Sequence, residues 1–189
     1  MKASRRLFTC IAITVLSVAP AIGGPVLKHL TAERGKDSYL ASCHLEGALT
    51  DQVLEEIAAG LTTTIEYRLA VYRRRTAFFD QMIFKKRVEN SVRYDTLTQQ
   101  YTLTQRVDGD LLDTKVTDEA VAMKEFMTSL RDVSLLKPDA LEAGEEYYLK
   151  AKSNLGLVWR FYVIPWPMDT DWVRVPIEPE RGKNVATTP

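Results

Sequence analysis

Two long runs of alternating apolar and polar residues in the middle of the chain give the clearest secondary-structure prediction. Every second side chain is apolar in residues 64–71, and residues 82–94 repeat the pattern after a short connection. Because successive side chains of a strand point to opposite faces, these runs predict two long strands facing a core on one side. Residues 100–107 and 111–116 also alternate, and the Asp-Gly pair at 108–109 between them is typical of a hairpin turn.

Shorter alternating patterns extend the strand prediction toward both ends of the chain. A first strand starts at Ser38 and places Cys43 on its inward side. Further strands are predicted later in the chain, at residues 133–136, 147–152 and 157–164 and after residue 172.

Apolar residues at helical spacing predict two short helices, at residues 50–60 and 117–130. Thr50 or Asp51 can cap the first helix, and Gly60 can end it in the left-handed conformation. Each helix has one apolar face, so we expect both to dock on a sheet.

Short strands, turns, two helices and no alternation of strand with helix predict a mainly β fold. The favoured architecture is an antiparallel, immunoglobulin-like β-sandwich with two short docked helices. The alternative is an α+β fold with an open antiparallel sheet and helices on one face. We assign a single β-rich domain to residues 38–177, between a flexible leader at 24–37 and a flexible tail at 178–189.

Residues 1–23 have the layout of a secretory signal peptide. A basic start is followed by an apolar run at 7–18, and small residues fit a cut after Ala21 or Gly23. The apolar run is shorter than the ~20 residues of a spanning helix. We therefore expect a periplasmic or secreted protein with no membrane span after cleavage.

Charge and reactive side chains argue against several functions. Removal of Lys2, Arg5 and Arg6 lowers the basic count from 25 to 22 against 25 acids, a net charge of −3 that does not favour nucleic acid. Cys43, the one cysteine after the signal, is expected as a buried thiol, with an intermolecular disulfide as the alternative. It precedes His44 on a strand, so the two side chains point apart and cannot form a catalytic pair. We expect no enzyme, no metal site and no cofactor.

The best candidate binding surface is a set of basic residues on the predicted outer faces of neighbouring strands. Its members are Arg68, Arg74, Lys85, Arg87 and Arg93. Such a stripe could hold phosphate, anionic lipid or an acidic protein. Glu66 and Glu89 are interleaved with it, as on an ordinary solvated sheet face.

Two polar residues interrupt the inward side of the second long strand, Lys86 and Asn90. They either lie beyond the edge of the core or line a polar pocket, and edge placement is favoured because unpaired buried charge is costly.

Four aromatic residues flank predicted loops: Phe78, Phe79, Trp166 and Trp172. They either anchor a partner or close the ends of the core, and the second role is favoured by their large apolar area.

Tyr94, Leu97, Thr98 and Tyr101 form the motif Tyr-x-x-Leu-Thr-x-x-Tyr, and a Thr-Asp-Trp element follows at 170–172. This order resembles a family of small exported proteobacterial proteins described only as a domain of unknown function, over about residues 40–175. The resemblance implies an exported single domain and no particular activity. We expect the motif to be structural, with Tyr94 and Tyr101 facing each other across a turn.

These features predict an exported, non-enzymatic interaction or structural module of the cell envelope. It would present its sheet edges and basic face to an envelope protein or anionic lipid. The alternative is a periplasmic carrier of an apolar or amphiphilic ligand, suggested by Met123 and Met127 on one helix face.

Overall fold

A computed structural model describes residues 24–160 and 164–178, with side chains for 24–155 and 169–178. The predicted signal segment with its cut sites, the Trp166 side chain and residues 179–189 of the predicted tail lie outside the described residues. Two antiparallel sheets and two short helices make up the described part, which confirms the predicted mainly β sandwich.

The helices are α1 (Asp51–Ala58) and α2 (Ala120–Thr128). The strands are, in chain order, β1 (Val26–Arg34), β2 (Tyr39–Glu46), β3 (Thr63–Arg73), β4 (Gln81–Asp95), β5 (Gln100–Val107), β6 (Asp110–Thr117), β7 (Ser129–Ser134), β8 (Tyr147–Arg160), β9 (Ile164–Asp169) and β10 (Val173–Ile177).

The large sheet has the strand order β10-β8-β3-β4-β5-β6, and β9 pairs with the far end of β8. The small sheet has the order β1-β2-β7. This division into seven and three strands is less equal than the four and three of an immunoglobulin constant domain. Between β3 and β6 the chain runs as a simple meander, because short turns join consecutive antiparallel strands.

Side chains from both sheets fill one hydrophobic core. Tyr39 and Leu45 contribute from the small sheet, and Tyr67 and Leu149 from the large one, each at most 2% exposed. Cys43 is 5% exposed, as the alternation in β2 predicted. Burial raises the pKa of its thiol to about 12, so the group is neutral in the folded protein.

Both helices dock on the core through one face. Thr50 caps α1 by accepting a hydrogen bond from the Val53 N–H at 3.4 Å, and Gly60 follows the helix with a φ of +83°. Helix α2 ends at Thr128, two residues before the predicted end, because β7 begins at the next residue.

Two buried side chains of the large sheet bind the free carbonyl end of α2. The last carbonyls of a helix have no partner within it. Asn90 Nδ2 donates to the Phe126 carbonyl at 2.8 Å, and the Tyr67 hydroxyl donates to the Met127 carbonyl at 2.7 Å. These bonds fix α2 to β3 and β4.

The prediction of a flexible leader at 24–37 is wrong. This segment contains β1, which pairs with β2 and buries Leu27 and Leu30. Alternation fails here because the register shifts between Lys28 and Thr31, and His29 adopts a φ of +51°. A bulge of this kind breaks the period-two pattern that identifies a strand.

Three later predictions also need correction. Strand β7 runs over Ser129–Ser134, earlier than the predicted 133–136. Strand β8 is continuous where two strands were predicted. Strand β9 lies between the last two predicted strands, where none was predicted, and it includes Pro165 and Pro167. Proline is tolerated because β9 pairs only with β8, which leaves its other side unpaired within the described chain.

Candidate binding face

The strand register aligns basic residues in two neighbouring rows on the outer face of the large sheet. The first row contains Arg174, Lys150 and Lys85, with the small Ala70 between the lysines. The second contains Lys152, Arg68 and Arg87. We call these six residues the basic band. Strands lie about 4.8 Å apart, so the four-strand row spans about 14 Å.

Aromatic and acidic rows bound the basic band on opposite sides. Tyr72 and Tyr148 are register partners on β3 and β8, and their rings stack at 5.4 Å and 10°. On the other side Glu66 and Glu89 are partners on β3 and β4. The outer face therefore changes from aromatic to basic to acidic along the strands.

Aromatic rings lie close to several cations of the band. Lys150 Nζ lies 4.7 Å from the Trp172 ring centre and 5.9 Å from that of Tyr72. Lys152 Nζ is 5.5 Å from Trp172, and the Arg174 guanidinium is 5.8 Å from Tyr148. Such cation–π contacts hold the charges in place without neutralising them.

The Thr-Asp-Trp element positions Trp172 over the band. Thr170 is 6% exposed, and its hydroxyl accepts a hydrogen bond from the Ser153 N–H at 2.9 Å. The Thr170 N–H donates to the Ser153 carbonyl at 2.9 Å. These bonds fasten the β9–β10 connection to β8, and Trp172 remains 43% exposed two residues later.

Carboxylates neutralise one side of the band. Glu66 pairs with Arg68, Glu89 lies 3.3 Å from Arg87 Nε, and Asp169 lies 3.3 Å from Lys152 Nζ. Within the described chain, Lys85, Lys150 and Arg174 form no ion pair with an acid. Exposed ion pairs contribute only about 0–1 kcal/mol, so an acidic ligand can compete for the paired cations as well.

Three of the five predicted basic residues, Arg68, Lys85 and Arg87, meet in the band. Arg93 lies on the same face of β4 but beyond the acidic row, opposite Thr102. The predicted basic stripe did not include Lys150, Lys152 or Arg174, which the pairing of β8 with β3 and β10 brings to the same face.

Arg74 lies outside the band. It pairs with Glu146 at 2.8 Å and lines a groove of about 1210 Å³ beside the aromatic row. Arg34, Arg174 and Glu145 also line this groove. Because both signs of charge meet here, the groove offers no selective site for an anion.

Lys86 and Asn90 do not form a pocket together. Asn90 is fully buried, and its Oδ1 accepts a hydrogen bond from Gln105 Nε2 at 2.9 Å while its Nδ2 binds α2. It is therefore neither at the edge nor free for a ligand. Lys86 is half-buried and donates from Nζ to the Ser134 carbonyl of the small sheet.

The connection between β3 and β4 exposes two adjacent phenylalanines, Phe78 by 78% and Phe79 by 98%. The expectation that they close the core is wrong. Asp80 in this connection accepts a hydrogen bond from the Tyr148 hydroxyl at 2.8 Å. That bond and one from the Arg75 N–H hold the pKa of the Asp80 carboxyl below its ordinary value. The connection that carries the phenylalanines is thus tied to the aromatic row of the candidate binding face.

Most of the Tyr-x-x-Leu-Thr-x-x-Tyr motif builds the β4–β5 turn. Tyr94 and Tyr101 are register partners, with ring centres 4.7 Å apart. Asp95 Oδ1 accepts hydrogen bonds from the Leu97 and Thr98 N–H groups at 2.8 and 3.3 Å, which lowers the pKa of Asp95. The Leu97 side chain is 92% exposed and contributes little to this packing.

Cys43 and His44 point to different surroundings. Cys43 is in the core, and His44 Nδ1 lies 3.1 Å from Ser129 Oγ on the neighbouring strand.

In the part of the chain that the structure describes, no three His, Cys, Asp or Glu side chains gather as metal ligands. No helix of that part is long and apolar enough to cross a membrane.

The fold and this face define a two-sheet β protein with a basic, aromatic-flanked outer surface. Residues 24–157 match the family model described as Domain of unknown function (DUF4390), and the chain belongs to this family. No curated protein and no solved structure matches the chain.

Proposed function

We propose that the protein is an exported, non-enzymatic interaction module of the cell envelope that binds an acidic segment of a partner protein. The observation that carries this proposal is the basic band on the outer face of the large sheet. Its cations come from four strands, so the rigid sheet fixes their spacing before a partner arrives. Preorganised charge favours rapid and selective association with a surface of opposite sign.

Exposed apolar residues beside the band support a protein as the partner. Phe78 and Phe79 project from the connection that Asp80 ties to Tyr148. Interfaces commonly combine a few aromatic anchors with surrounding polar contacts. A small anion would use the cations alone, whereas a protein can cover the band and both phenylalanines together.

Nothing in the described core favours the alternative of a carrier for an apolar ligand. Met123 and Met127, which suggested it, are 2% and 0% exposed and pack within the core. They fill the space between the sheets and α2.

Photocrosslinking in the native host tests the proposal. Benzoylphenylalanine keeps the phenylalanine ring and adds a benzoyl group, which can extend into solvent because Phe79 is 98% exposed. The matched control replaces Leu97, which is equally exposed at the turn that begins where β4 ends. We expect a discrete protein adduct from position 79 and none from position 97.

Charge reversal then connects that adduct to the band. The double variant Arg68→Glu/Lys85→Glu should remove the adduct from position 79, because both side chains are exposed and basic. Arg131→Glu, on the small sheet, should leave it unchanged. Equal adducts from positions 79 and 97, or an adduct that survives the double reversal, would refute the proposal.

A further inference from the structure

Strand β6 ends the large sheet, and within the described residues it pairs only with β5. Its apolar side chains are unusually exposed: Leu111 by 61%, Leu112 by 65% and Val116 by 59%. An edge strand offers unpaired N–H and C=O groups to any strand that can align with it. Exposed apolar side chains on such an edge give an aligned strand something to pack against.

We propose that β6 pairs with β6 of a second copy of this chain in an antiparallel, two-fold symmetric arrangement. Symmetry requires that if residue i faces residue j, then j also faces i. Opposite residues of an antiparallel pair share one hydrogen-bonding state, and that state alternates along a strand. The numbers of two residues that face each other across the dimer must therefore have an even sum, so the pairing is centred on a residue.

Charge selects one of the three registers centred on residues 113–115. Centring the pair on Asp113 or on Lys115 places two like charges directly opposite each other, which is destabilising. Centring it on Thr114 places Asp113 of each copy opposite Lys115 of the other. Residues 113–117 pair regularly with β5, because the register shift between Gln105 and Arg106 lies outside this stretch. The stretch is therefore extended and can pair with a second strand.

The same register joins the exposed apolar residues. Leu112, which lies at the register shift beside the regular stretch, comes next to Val116 of the other copy, so two apolar contacts flank the central Thr114 pair. The large sheets become continuous, and the two-fold axis stands perpendicular to them. Both outer faces then point the same way, which would present two basic bands to one partner if the proposed function holds.

Disulfide crosslinking tests the proposed register between the two β6 strands directly. In the proposed dimer the two Thr114 Cα atoms lie about 4.5–5.5 Å apart, within reach of a disulfide after Thr114→Cys. The control Val116→Cys lies on the same face of β6, but its two copies would be about 14 Å apart, four residues along the strand. We expect mild oxidation of the purified full-length product to give a covalent dimer for Thr114→Cys only. The wild type supplies the baseline for its native cysteine.

A charge swap tests the same contact without cysteine. Asp113→Lys or Lys115→Asp alone creates two like-charge pairs, and we expect either to raise the dimer dissociation constant by about tenfold. The double variant Asp113→Lys/Lys115→Asp restores opposite charges across the axis and should restore the dimer. Light scattering measures the mass of each variant, and circular dichroism checks that each is folded.

The proposal fails if the wild type stays monomeric at high concentration or if Val116→Cys crosslinks as well as Thr114→Cys. It also fails if the double charge variant dissociates as much as the single variants. Binding of a different protein along β6 in place of a second copy would equally contradict it. None of these outcomes depends on the acidic partner of the basic band.

Discussion

Replacing Asn90 should show that a buried polar bond, and not a ligand pocket, explains the interruption in β4. Asn90→Ala removes the donor to the Phe126 carbonyl and the acceptor for Gln105. A buried carbonyl left without a partner costs about 1–3 kcal/mol, and the vacated space adds to that. We expect a loss of about 2–4 kcal/mol from an unfolding free energy that is typically about 5–15 kcal/mol.

Asn90→Asp gives the same prediction a pH signature. An ionised aspartate cannot donate to the Phe126 carbonyl, so at pH 7 this variant should be at least as unstable as Asn90→Ala. Burial raises the folded-state pKa of such a carboxyl above its unfolded value of about 3.9. Stability should therefore return as the pH falls through the folded-state pKa toward about 4, where the protonated group can donate again.

Urea denaturation of both variants at pH 7 and near pH 4.5 measures these effects. Lys86→Met is the matched control, because this second polar residue on the inward side of β4 is only half-buried. Lys86→Met should lower the free energy of unfolding by less than about 1 kcal/mol. An Asn90→Ala loss under about 0.5 kcal/mol, or an Asn90→Asp deficit that does not shrink at low pH, would refute the reasoning.

Three further predictions concern other positions. Because the pKa of Cys43 is about 12 rather than the ordinary 9.0, its thiol should resist alkylation at pH 8 until the protein unfolds. Wild type should also lose stability above pH 9, where the unfolded thiol ionises, more steeply than Cys43→Ala does; fast labelling of folded protein would contradict this. Gly60→Ala should cost more than Gly144→Ala in urea denaturation, because both have positive φ but only Gly60 would place a Cβ 3.3 Å from another carbonyl. Thr170→Val should cost about 1–3 kcal/mol in the same assay by leaving a buried N–H unpaired, and a neutral result would argue against its role in holding the β9–β10 connection.

The alternation of apolar and polar residues predicted the meander of the large sheet well. Strands β3 to β6 were all located from it, although register shifts interrupt the β3–β4 pairing after Val71 and the β5–β6 pairing after Gln105. Asp108 and Gly109 both have the positive φ that the two-residue hairpin turn requires. Strand β1 was missed because the bulge at His29 removes the alternation. Its partner β2 was recognised, because its buried residues alternate regularly along the strand.

The basic band could be predicted only in part, because its two halves come from distant parts of the sequence. Arg68, Lys85 and Arg87 lie on strands joined by a short connection, so their shared face follows from alternation. Lys150 also alternates with buried residues, but its position beside Ala70 depends on the long-range pairing of β8 with β3. The buried role of Asn90 was not predicted for a similar reason. Its partner is a backbone carbonyl, which the sequence does not single out.

The most direct test of the central claim is an amide chemical-shift titration of the protein with an oligoglutamate peptide. We predict that the largest shifts fall on β3, β4 and β8 around Arg68, Lys85 and Lys150. They should be suppressed in about 0.5 M NaCl, where charges are screened beyond a few ångströms. Arg131 on the small sheet is the internal reference. Shifts around Arg131 as large as those of the band, or binding unchanged in Arg68→Glu/Lys85→Glu, would contradict the account.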